Sequence, residues 1–73
     1  MTWNAIAYGD DGKIEHLSYA KKKSLFEMCQ SRFGHCLGKI VDNSGESIGW
    51  RFAKCGSGKE CVPVVYEIII KEI

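Results

Sequence analysis

The chain has 73 residues, 45% of them hydrophobic and 26% charged, with ten Lys and Arg against nine Asp and Glu for a formal charge of +1. That length holds one domain, residues 1–73, with a thin core that hides roughly 60% of the unfolded surface, and the composition excludes a disordered, collagenous or low-complexity chain. A balanced charge gives no global field for nucleic acid or membrane, the apolar run from Val62 to Ile70 is far short of the ~18 residues of a spanning helix, and Met1-Thr2-Trp3-Asn4 opens no charged-then-apolar leader, so the chain reads as soluble and cytoplasmic.

Taken in order, Thr2 to Tyr8 has strand propensity through Trp3, Ile6 and Tyr8, Gly9-Asp10-Asp11-Gly12 reads as a turn, and Lys13 to Leu17 is a short second strand or part of one longer N-terminal element. Ser18 is placed as an N-cap for a helix from Tyr19 to Phe33, a stretch free of glycine and proline, with Gly34 at the left-handed position that ends it. At 100° per residue, Leu25, Phe26, Cys29 and Phe33 share one side of that helix, so it is amphipathic and packs on a sheet. Lys21, Lys22 and Lys23 stand at its start on three different headings, which reads as a solvated helix end or, alternatively, as a basic site for an acidic partner.

Leu37 to Val41 and Ser47 to Phe52 flank Asp42-Asn43-Ser44-Gly45-Glu46, a hairpin with glycine in the left-handed position of a type I turn plus bulge. Placing Asp42 opposite Glu46 predicts Ile40 opposite Ile48, Gly38 opposite Trp50 and Cys36 opposite Phe52 on the helix side. Val41 with Ser47, Lys39 with Gly49 and Leu37 with Arg51 then lie on the other face. The β-branched density from Val62 to Ile70 predicts a last strand whose even positions join the core. Matching Phe52 to Val64 makes 56–60 a hairpin loop and sets Cys55 opposite Cys61. The expected fold is α+β, an antiparallel sheet of about four strands with one helix on one face.

Chemistry-bearing motifs are few. Four cysteines in a chain without a leader are expected as reduced thiols, with a Cys55–Cys61 bridge open as an alternative. Neither Cys29-x6-Cys36 nor Cys55-x5-Cys61 has the two-to-four-residue turn that aims two sulfurs at one zinc ion. Cys55-Gly56-Ser57-Gly58-Lys59 lacks the first glycine, the hydroxyl after lysine and the following helix of a phosphate-binding loop. No carboxylate pair and no Ser/His/Asp set can be brought together, so no catalytic, cofactor or metal residue is assigned and no enzyme is expected. The candidate interaction surface is the open sheet face, Leu37, Lys39, Val41, Arg51, Val65 and Ile69, because a monomer rarely leaves such a stripe bare. A protein partner or a second copy is expected to cover it, and nucleic acid held by the basic residues is the alternative.

Ile14-Glu15, Leu17-Ser18, Ala20-Lys21, Phe33-Gly34, Gly45 and Gly49 fall in an order that resembles small phage-encoded inhibitors of host defence, of the type I-F anti-CRISPR β-α-β-β kind. The resemblance covers about residues 14 to 53, while the four cysteines and the long C-terminal strand depart from it. It implies a non-catalytic binder that blocks a larger host complex, through Lys and Arg side chains set in a nucleic-acid site.

Overall fold

A computed structural model describes residues 1–55 and 62–73. The elements are β1 (Trp3–Gly9), β2 (Ile14–Tyr19), α1 (Lys22–Phe33), β3 (His35–Val41), β4 (Ser47–Cys55) and β5 (Pro63–Glu72). The fold is α+β as expected, but the antiparallel sheet has five strands, in the order β2-β1-β5-β4-β3. The N-terminal residues thus form two separate strands. β1 lies inside the sheet between β2 and β5, where both its edges are hydrogen-bonded, and the Thr2 and Ile73 backbones extend the ladder with two 2.8 Å bonds.

Helix α1 starts three residues later than the sequence suggests. Tyr19 remains in β2, paired with Trp3, and the residue flanking the helix is Lys21, which gives no side-chain cap. The first turn also lacks an acidic residue to answer the macrodipole. With end effects this weak, packing holds the helix: Leu25, Cys29 and Phe33, four residues apart, are buried against the sheet. Phe26 meets Trp50 edge-on at 4.9 Å and Phe52 at 5.6 Å, while Phe33 lies 4.7 Å from Tyr66. The core is completed from the sheet by Ala5, Ala7, Leu17, Ile68 and Ile70. At the far end Gly34 has φ 93° and donates to the Gln30 carbonyl at 3.2 Å, as expected of a helix-ending glycine.

The hairpin turn forms as read. Asp42 N–H donates to the Glu46 carbonyl at 2.9 Å, Gly45 has φ 85°, and the Asp42 carboxylate accepts from the Ser44 hydroxyl at 2.6 Å and from the Ser44 and Glu46 amides. The register beyond it is corrected by two bulges. Val41 pairs with Ser47 and Cys36 with Phe52, as expected, but between them Ile40 pairs with Gly49, Lys39 with Trp50 and Gly38 with Arg51. Ile48 is the extra residue on β4 and Leu37 the extra residue on β3, so the two shifts cancel. A Cβ on Gly49 would run into the Ile68 carbonyl, so this bulge depends on glycine. The last strand is displaced by two residues from the expected pairing: Phe52 opposes Tyr66 rather than Val64, and Cys55 opposes Pro63. An even shift preserves side-chain parity, so Ile68 and Ile70 still face the helix. The predicted 56–60 loop and the predicted Cys55–Cys61 pairing include residues outside those described. Cys55 is disulfide-bonded, whereas Cys29 and Cys36 are free thiols. No helix among the described residues is long and apolar enough to cross a membrane.

Candidate functional site

Strand alternation assigns the face away from α1. Its central row crosses all five strands through directly paired residues: His16, Ile6, Ile69, Gly49 and Ile40. The next row runs Ile14, Tyr8, Glu67, Arg51 and Gly38, and a third begins with Val65 opposite Ala53 and continues to His35. Ile14 is 66% exposed and Tyr8 45%, while Ile6, Ile40 and Val65 are half-buried by their neighbours. The result is an apolar band with one acid and one base side by side near its middle. Arg51 and Glu67 are both exposed, and among the described residues neither side chain has a hydrogen bond or ion pair.

Four of the six residues expected on this surface are there or at its border. Arg51, Val65 and Ile69 lie on it, and Leu37, 60% exposed, lines a shallow hollow of about 360 Å³ beside it with His35, Ala53 and Pro63. Lys39 and Val41 do not belong to it. The bulge at Ile48 pairs Lys39 with Trp50, a core residue, and alternation then carries Val41 to the helix-bearing side, where it is exposed beyond the reach of α1. Ile40 takes their place on the open face. Ile6, Tyr8 and Ile14 also lie on this face, which follows only once β1 and β2 are placed in the sheet; the alternation of Ile6 and Tyr8 with Ala5 and Ala7 is the signal that marks them.

The alternative basic site is dispersed. Lys21, Lys22 and Lys23 are all exposed, and Lys22 Nζ sits 5.2 Å from the centre of the Trp3 ring, a cation–π contact that turns its charge toward the sheet end. An open groove of about 500 Å³ runs there, lined by Trp3, Lys22, Ile48 and Lys71, with Glu46 and Glu72 opposing the cations. Arg32, on the last helical turn, is taken up by an ion pair with Glu15 at 2.9 Å, which supplies the partner for that carboxylate oxygen.

Perturbed titrations trace structure rather than reactivity. Burial pushes the Cys29 thiol up to about 11, against a smaller opposite pull from Arg32, so it is a packed apolar group and no nucleophile. Burial first, and then Asp11, Glu15 and Asp10, raise Tyr66. The Ser44 hydroxyl and the turn amides hold the Asp42 carboxyl below its ordinary value. Among the described residues no three His, Cys, Asp or Glu side chains are grouped to hold a metal ion. Comparison with family models, curated proteins and solved structures returns no match for this chain.

Proposed function

We propose that the chain is a small non-catalytic interaction module that binds a protein through the helix-free face of its sheet. The observation that carries this reading is the row Ile6, Ile69 and Ile40, which no helix or loop among the described residues covers. Burying a side chain of this size returns ~1.5–3 kcal/mol when it is complete, so three or four residues at the centre of such a band are enough to anchor a partner. The accessible surface of 5220 Å² exceeds the roughly 4,500 Å² that the area law gives for a chain of this mass, in line with a two-layer fold that has one face bare. In its most specific form the module is an inhibitor that occupies a larger host complex, as the resemblance to phage-encoded inhibitors implies.

The nucleic-acid alternative draws on Lys22 stacked over Trp3 beside Lys71. Glu46 and Glu72 in the same groove weigh against a phosphate backbone there. Salt separates the two: phosphate-driven affinity falls steeply as salt is raised, while apolar-face binding does not. The direct test uses the tagged chain as bait alongside Val65→Lys and Ile69→Lys, each checked for folding by circular dichroism. A partner held by this face is retained by the wild type and lost from both variants. Equal capture by all three removes the face from the reading.

A further inference from the structure

We infer that the occupant of the helix-free face is a second copy of this chain, stacked about a two-fold axis that runs along the strands between β4 and β5. The inference rests on the interaction reading above and names its partner. It starts from the charges: Arg51 and Glu67 are direct cross-strand neighbours, exposed and, among the described residues, without an ion-pair partner. A two-fold axis across the strands through this row would set Arg51 on Arg51 and Glu67 on Glu67. An axis along the strands between them sets Glu67 of each copy over Arg51 of the other and forms two opposite-charge contacts at the centre.

The same operation matches the remaining rows. It exchanges β5 with β4 and β1 with β3, so Ile69 meets Gly49, a position that projects no side chain onto this face. Ile6 meets Ile40 in the same row, and Val65 meets Ala53 in the third. Tyr8, 45% exposed, falls over Gly38, where a side chain would find open space. Ile69, Val65 and Tyr8 each meet a small residue, Ile6 and Ile40 stack isoleucine on isoleucine, and no like charges meet. The aligned packing of two twisted sheets, within about 30° of parallel, keeps this correspondence closest next to the axis, where Glu67, Arg51, Ile69 and Gly49 lie. Four strands at ~4.8 Å spacing and about seven residues at ~3.4 Å give a footprint of about 450 Å² per copy, at the small end for a specific interface, so the dimer dissociates on dilution.

Sedimentation equilibrium from about 20 µM to about 1 mM reads the association, a range suited to an interface of this size. The wild type is expected to pass from one chain to two. Arg51→Glu and Glu67→Arg should each weaken self-association at least ~10-fold, and an equimolar mixture of the two variants should restore it, because the lost charge pairing returns only between copies. The doubly exchanged variant R51E/E67R keeps the cross-strand pair within one chain and guards against a single variant that fails to fold. It should dimerise with itself and refuse the wild type. A wild type that stays monomeric at about 1 mM, or a mixture that associates no better than either variant alone, overturns the proposal. If the wild type is monomeric while a bait partner is still lost on Val65→Lys, the second copy is wrong and the face reading stands.

Discussion

Trp50→Ala removes the largest side chain of the core from the point where helix and sheet are joined. Trp50 is 5% exposed, stands edge-on to Phe26 at 4.9 Å and to Phe52 at 6.4 Å, and lies on β4 opposite Ile68. Burying an indole and leaving a cavity in its place together make ~3–5 kcal/mol, to which each lost edge-to-face contact contributes ~0.5–1.5 kcal/mol. A domain of 73 residues holds about 4–11 kcal/mol in all, so the substitution removes from about a quarter to all of it. Urea unfolding followed by circular dichroism should move the midpoint down by ~3–5 M at a slope of ~1 kcal/mol/M. Trp50→Phe, which keeps a ring against Phe26, should lose less than half as much. A loss under ~1 kcal/mol for Trp50→Ala would refute the packing described here, because a buried aromatic cannot be deleted so cheaply.

Gly49→Ala drives a methyl into the Ile68 carbonyl, and is expected to destabilise by about 2 kcal/mol or more; a neutral substitution would mean that the β4 bulge lies elsewhere. The hydrogen-bonded Asp42 carboxyl has a depressed folded-state pKa, so its contribution to the turn is present above the unfolded value and is lost as pH falls through the folded one. The Ser44 and Glu46 amide resonances should titrate together with a midpoint below that of an ordinary aspartate, and should lose this transition in Asp42→Ala. Cys36 is an exposed free thiol and Cys29 a buried one with its pKa raised to about 11. A thiol reagent should therefore label Cys36 in the native state and reach Cys29 only on unfolding, and native labelling of Cys29 would contradict the burial.

How far the sequence could be read depended on how local each signal is. The Asp42–Glu46 turn and the helix end at Gly34 were legible because one glycine in a left-handed conformation fixes each. The parity of β5 was legible because Glu67 and Lys71 mark the solvent side of an otherwise β-branched run, and parity survives a register error of two. The bulges were not. Gly38 and Gly49 are compatible with bulges but do not say which strand gains a residue or where, and the close approach of the Ile68 carbonyl to Gly49 comes from a strand distant in sequence. That hidden shift moved Lys39 and Val41 off the candidate face and brought Ile40 onto it. The helix start is hidden for a related reason. Ser18 has the chemistry of a cap, but pairing of Asn4 with Ser18 and Trp3 with Tyr19 keeps that segment in the sheet.

The claim that two copies of the chain meet through the helix-free face is tested most directly by isoleucine methyl NMR over a dilution series, because β5 presents Ile69 to one face and Ile68 and Ile70 to the other. Between about 1 mM and about 20 µM, the span over which a small interface dissociates, the methyls of Ile6, Ile40 and Ile69 should shift together while those of Ile68 and Ile70 stay fixed. Shifts centred on Ile48 and Ile70, beside the Lys22–Trp3 groove, with Ile6, Ile40 and Ile69 unmoved, or no shift at any methyl, would contradict it.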